Sequence, residues 1–257
     1  MIPKIIHYCW FGHNPLPPLA LECIASWRKF LPDYEIKEWN EDNFDVNIIP
    51  YTAEAYRMKK YAFVSDYARF WILYQYGGIY FDTDVEVIRP MDDIIARGNF
   101  MGFEKDPDGD NTPGKYAPQY CFSVALGLGF GMEKGHHFMM KMMEYSRGLD
   151  FKGSVMDPWF KTIVAYTTES LMEEGLRNVK GIQQVGDITI YPQEYFAPID
   201  FISRRLHVTK NTYTIHRYMG SWVTDKNRSV KAIIRNYIPE WGLYMYNKIK
   251  RRKYRIR

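Results

Sequence analysis

Cysteine is scarce in this chain. The three present, Cys9, Cys23 and Cys121, are odd in number and far apart. They form neither a disulfide framework nor a metal-binding pattern, which favours a reducing compartment. Long apolar runs are missing too. The longest uncharged stretch, Tyr116 to Met132, holds Pro118 and glycines at 127, 129 and 131. It is shorter than the roughly 20 residues that a membrane-spanning helix needs. Met1-Ile-Pro-Lys is not a basic segment followed by an apolar one, so no signal peptide is expected. Internal repeats and low-complexity linkers are absent. A uniform basic excess is also lacking. The net charge is +4, but 11 of the 34 Lys and Arg and one of the 30 acidic residues fall in 226–257. The body therefore carries −6 and the tail +10, which is not the profile of a nucleic-acid binder.

What is present suffices for a large core. Hydrophobic residues make up 46% of 257 residues and aromatics 17%. Length and composition suit one α/β domain over 1–225 with a basic, aromatic helical extension over 226–257. Ile2 to Phe11 reads as a buried strand ending at Gly12, with Trp10 at its C-terminal end, where α/β sheets place ligands. An amphipathic helix is expected over 19–30, a strand over 34–39 and a short basic helix over 51–60. Strands follow near 99–103, 188–192 and 212–222, and helices near 136–147 and 158–175. The stretch 105–118 reads as a loop able to act as a lid, or as an inert surface excursion. The glycines at 127, 129 and 131 mark a passage where backbone comes close to something. Met139, Met140, Met142 and Met143 are expected to fill a core. Alternating strands and helices argue for a sandwich of α/β class.

The most informative stretch is Tyr61 to Val85, YAFVSDYARFWILYQYGGIYFDTDV. An apolar helix is interrupted by Asp66 and Arg69, which three-residue spacing places on one face. Gly77 and Gly78 end that helix. Residues 79–86 then alternate, which predicts a strand with Asp82 and Asp84 on one side. Charges in so apolar a segment are costly unless paired or used. Two carboxylates beside a helix bearing a carboxylate and a guanidinium suit a divalent cation and an anionic diphosphate together. Oxygen ligands of this kind fit Mn²⁺ or Mg²⁺.

Four blocks carry a family resemblance: IPKIIHYCWFG, FVSDYARFWILYQYGGIYFDTDV, GFGMEKGHHFM and TIHRYMGSW, in order over about residues 2–222. The chain resembles glycosyltransferase family 32, the DXD-containing sugar transferases of the capsule-synthesis type. More remotely, it is similar to the catalytic domain of the clostridial glucosylating toxins. One departure is Asp157-Pro158-Trp159, where many relatives carry Thr-Gly-Pro.

The resemblance implies a GT-A fold, a single α/β/α sandwich with a mixed central sheet. It implies that Trp10 stacks on the nucleobase of a UDP- or GDP-sugar. Asp66 would bond the donor sugar, and Arg69 would reach the sugar and diphosphate. Asp82 would hold ribose and sugar hydroxyls, and Asp84 would be the direct ligand of Mn²⁺ or Mg²⁺. His216 would be a further metal contact, and Ser221 and Trp222 would close over the diphosphate. The implied reaction is retaining transfer to a saccharide, and the basic tail suggests that the acceptor is lipid-linked or part of a capsule or surface polysaccharide. No carboxylate stands out as a nucleophile on the opposite face, which favours front-face attack.

Two rivals remain at this point: a catalytically silent nucleotide-sugar-binding module, and a haloacid-dehalogenase-like phosphatase with Asp82 as nucleophile. The tail 226–257 reads either as a helix packed on the body or as a foot on an anionic membrane surface. The expected location is cytoplasmic, peripheral to the inner membrane face if the foot operates.

Overall fold

Ile5–Cys9 forms β1, and its alternation sends Ile6 and Tyr8 to one side of the sheet and His7 and Cys9 to the other. The computed structural model describes residues 1–109, 122–151, 162–200 and 204–219. Helix α1 (Pro18–Phe30) starts on a proline, which has no N–H to leave unsatisfied. Then come β2 (Glu35–Trp39), α2 (Pro50–Arg57), α3 (Tyr61–Tyr76), β3 (Gly78–Tyr80), β4 (Val85–Val87) and α4 (Asp92–Ile95). They are followed by β5 (Phe100–Lys105), β6 (Ser123–Val124), a 3-10 turn (Leu126–Leu128), β7 (Phe130–Met132) and α5 (His137–Arg147). The last described elements are α6 (Ile163–Glu173), β8 (Gln183–Val185), β9 (Ile188–Tyr191), α7 (Gln193–Phe196) and β10 (Thr214–His216).

The large sheet runs β2-β1-β3-β7-β5-β9-β8, with β6 paired to β5. It is mixed: β1 is parallel to β2 and β3, β7 is antiparallel to both β3 and β5, and β5 is parallel to β9. The C-terminal ends of β1, β2, β3, β5 and β9 therefore share one edge. One face is covered by α2, α3, α5 and α6. The other is covered by α1, α4, α7 and a two-stranded sheet of β4 and β10. This is the mixed-sheet α/β architecture expected, with a small sheet added to one outer layer. Of the four methionines of α5, Met140 differs from expectation: it is 41% exposed, while Met139, Met142 and Met143 are buried.

The stretch after α3 departs from a continuous strand. β3 ends at Tyr80, and Asp82 to Asp84 form a turn closed by Val85 N–H to Asp82 O at 3.0 Å. The chain leaves the large sheet at this turn to pair with β10 in the small one. The two acidic side chains thus share a turn rather than a strand face. The glycine pair before β3 is required on two counts. Gly77 and Gly78 have φ of +66° and +107°, and a Cβ on Gly78 would lie 2.6 Å from Ile5 O.

His7 ties this junction together. Its Nδ1 accepts from Trp39 Nε1 at 3.0 Å, and its Nε2 donates to Gly77 O at 2.9 Å. Burial, with Lys37 adding to it, lowers its pKa from 6.5 to about 4. The unfolded chain therefore takes up this proton near pH 6.5 and the folded chain only near 4. The stability that the neutral ring contributes is full above the unfolded value and is lost as pH falls toward the folded one. Between pH 7.5 and 4, His7 alone should remove about 3 kcal/mol of unfolding free energy. Urea titrations across this range should show a slope that the non-titrating His7→Gln variant lacks. Equal slopes in the two proteins would contradict this account.

Candidate functional site

Helix α3 carries Asp66 and Arg69 one turn apart, and Arg69 Nη2 lies 3.0 Å from Asp66 Oδ1. The same nitrogen lies 3.4 Å from Asp82 Oδ1 in the turn after β3. Arg69 Nε donates to Ser65 O at 3.2 Å, and the guanidinium sits 4.9 Å from the Tyr80 ring centroid. The group is buried, with 5% of the residue exposed. It acts first as a clamp between two carboxylates, and its contact with a diphosphate remains a proposal. Burial opposes the Arg69 charge, but Asp82, Tyr80 and Asp66 outweigh it and raise its pKa. Asp66 is pushed up to about 6 by burial, against Arg69 and with Asp82 adding.

Asp82 and Asp84 experience opposite environments. Burial raises the Asp82 pKa, with Arg69 offsetting part of the effect. Burial would raise Asp84 as well, but His216 and the Met219 N–H outweigh it, so Asp84 titrates below the usual range. The geometry agrees: Asp84 Oδ1 is 3.2 Å from His216 Nε2, and Oδ2 accepts from Met219 N–H at 2.7 Å. Asp84 is itself buried, at 7% exposure, rather than standing at a solvated strand end. His216 reaches it because β10 pairs antiparallel with β4, setting His216 opposite Val85. For His216, burial opposes protonation, but Asp84 and Asp82 outweigh it and raise the pKa.

Ligand atoms of Asp82, Asp84 and His216 all lie within 4.8 Å of one another. The donor set of two carboxylates and an imidazole suits Mn²⁺ or Mg²⁺. The 3.2 Å between Asp84 Oδ1 and His216 Nε2 is close to the separation of about 3 Å between adjacent ligands of an octahedral ion with bonds of about 2.1 Å. A third feature is a close backbone approach. A Cβ on Gly127 would land on Asp82 Oδ2, and Asp82 N–H donates to Gly127 O at 3.3 Å. The alternating glycines signalled such an approach in the sequence, but not its partner.

Trp10 lies where it was placed, just past β1 on the same sheet edge, with its N–H bonded to Trp39 O at 2.8 Å. Its indole Nε1 donates to Asn14 O at 2.6 Å, and the ring is only partly buried. Ser221, Trp222, Asp157-Pro158-Trp159 and the tail 226–257 lie outside the described residues.

Residues 17–101 match a family model described as the glycosyltransferase sugar-binding region containing DXD motif. A third of the chain is thus similar to the DXD region of glycosyltransferases. That match contains Asp66, Arg69, Asp82 and Asp84, and it shows the resemblance drawn from the motifs. Curated relatives of this DXD region include inositol phosphoceramide mannosyltransferase 3 of Schizosaccharomyces pombe, 28% identical over 62% of the chain and 46% of the relative. Another is the initiation-specific alpha-1,6-mannosyltransferase of Candida albicans, 29% identical over 46% of the chain and 37% of the relative. The matches thus span less than half the length of these two relatives. Among solved structures, the PaToxG glycosyltransferase matches over 68% of the chain and 70% of its own, with 19% identity and a TM-score of 0.46.

A second cluster, His136, His137 and Asp187, also brings ligand atoms within 4.8 Å. It lies at the opposite sheet edge, beyond β7 and before β9. His136 Nδ1 accepts from Phe138 N–H at 3.2 Å and caps α5, which leaves Nε2 to carry the proton shared with Asp187 at 2.9 Å. Both ring nitrogens are engaged, so this is a helix cap.

Gly127→Ala tests the packing of the DXD turn. The added methyl should displace the Asp82 carboxylate and weaken Mn²⁺-dependent nucleotide binding at least about tenfold, the equivalent of about 1.4 kcal/mol, while circular dichroism stays that of the wild type. Unchanged affinity in calorimetry would show that the turn does not need this close approach.

Proposed function

We propose that the chain is a metal-dependent, retaining glycosyltransferase that moves a sugar from a nucleoside diphosphate donor to a saccharide acceptor. One observation carries this reading. The clamp of Asp66, Arg69 and Asp82 adjoins the Asp82–Asp84–His216 cluster at the sheet edge where Trp10 also lies, inside a segment that matches the DXD region. Trp10 stacks on the base of the nucleotide. Asp66 and Asp82 accept from hydroxyls of the donor sugar and ribose. Asp84 and His216 would hold Mn²⁺ or Mg²⁺, and a cation there would supply positive charge to a leaving diphosphate. Arg69 adds fixed positive charge where negative charge develops, favouring the transition state over the ground state. The acceptor hydroxyl attacks from the face that the diphosphate leaves and passes its proton to a diphosphate oxygen. The mannosyltransferase names of two relatives make mannose the first donor sugar to test. A surface polysaccharide or lipid-linked saccharide is the acceptor class we favour, with the basic tail at an anionic membrane surface. No helix among the described residues is long and apolar enough to cross a membrane.

A panel of UDP- and GDP-sugars with Mn²⁺, scored by nucleotide release, tests the reading. One donor should be turned over, and Asp84→Ala should lower the rate at least about a hundredfold, or about 2.7 kcal/mol. Arg69→Lys should also be poor, because an ammonium loses the Nε bond to Ser65 O and the planar face over Tyr80 that fix the charge in place. Trp10→Ala should weaken nucleotide binding by about 1–3 kcal/mol if it stacks on the base. Tight nucleotide binding with no release from any donor would instead indicate a silent binding module.

A further inference from the structure

Glu104 lies near the C-terminal end of β5, on the same sheet edge as the DXD turn and Trp10. Its place in the strand is irregular. Phe103 pairs with Val124 and Lys105 with Ser123, so two steps along β5 meet one along β6, and Glu104 is the extra residue. Such a bulge takes a side chain out of the regular alternation and re-aims it. The Glu104 side chain is part-buried and makes no hydrogen bond or ion pair among the described residues. The charges acting on it are those of His216 and Arg204. Reciprocally, Glu104 acts on His216 after Asp84 and Asp82.

His216 supplies the complementary vacancy. Its Nε2 faces Asp84 at 3.2 Å, while its Nδ1 is buried without a hydrogen-bond partner among the described residues. A buried ring nitrogen left unpaired is costly. A neutral imidazole whose Nε2 lone pair goes to a cation carries its proton on Nδ1, and that proton needs an acceptor. Metal-bound histidines ordinarily give this N–H to a carboxylate or carbonyl, which fixes the ring and strengthens its donation.

We propose that Glu104 is the carboxylate that accepts the His216 Nδ1–H when Nε2 binds a divalent cation beside Asp84. Glu104 is then a positioning residue of the metal site, and the bulge in β5 exists to aim it. This rests on the metal reading of Asp84 and His216 given above.

The test uses the full chain with Mn²⁺ as the probe, alone and with UDP or GDP present. Binding is counted from the EPR signal of free Mn²⁺, and histidine ligation is read from ¹⁴N couplings in pulsed EPR. Glu104→Ala should weaken Mn²⁺ binding about 10- to 100-fold and shift or remove the histidine coupling. Glu104→Gln, whose amide oxygen still accepts a hydrogen bond, should recover most of the affinity. Asp84→Ala should lose the ion. A wild type that ignores Mn²⁺, or Asp84→Ala that binds it equally well, overturns the metal reading and the role of Glu104 with it. Loss in Asp84→Ala beside wild-type affinity and unchanged ¹⁴N coupling in Glu104→Ala overturns the role of Glu104 alone. Should Glu104→Ala fail to fold, Glu104→Met replaces it, with the same expected loss.

Discussion

A buried guanidinium sets the terms for this site. Arg69 is almost wholly removed from water, and its charge is held there by Asp66 at 3.0 Å and Asp82 at 3.4 Å. Removing one member of such a group leaves an uncompensated buried charge, typically worth about 3–5 kcal/mol. The cluster therefore does more than present ligands. Asp66 comes from α3 and Asp82 from beyond the Gly77-Gly78 break, so the ion pairs fix the turn against the helix. The ion pairs are structural, and the candidate site is built on them.

The turn is also where the chain changes sheets. β3 belongs to the large sheet and β4 to the small one, and β10 brings His216 back beside Asp84. This places two carboxylates, one residue apart in sequence, in opposite electrostatic settings. Asp82 is pushed toward protonation by burial, while Asp84 is held ionised by His216 and a backbone N–H. Divergent environments of this kind assign different roles to chemically identical groups. Asp84 suits a cation, and Asp82 suits the hydroxyls of a sugar or ribose.

Much of this was legible in the residues. The helix from Tyr61 and its glycine stop follow from apolar composition and the conformational freedom of Gly77. The three-residue spacing of Asp66 and Arg69 gave their contact directly. The alternation after Gly78 misled, because a period of two does not reveal that a strand will leave one sheet for another, and Asp82 to Asp84 became a turn. Local sequence also could not show that Gly127 lies under Asp82, since 45 positions separate them in the chain. Glu104 carried no signal at all: its bulge depends on register with β6, a tertiary property. Met140 fell outside the core because helical periodicity allows only one stripe of α5 to face the sheet.

The account stands most directly on where a divalent cation binds. Crystals of the chain grown with Mn²⁺ and UDP or GDP, measured at a wavelength where manganese scatters anomalously, would locate it. The account predicts one strong anomalous peak bonded to Asp84 and His216, with the diphosphate on its open side. A peak elsewhere, or bound diphosphate with no metal at Asp84, would contradict it.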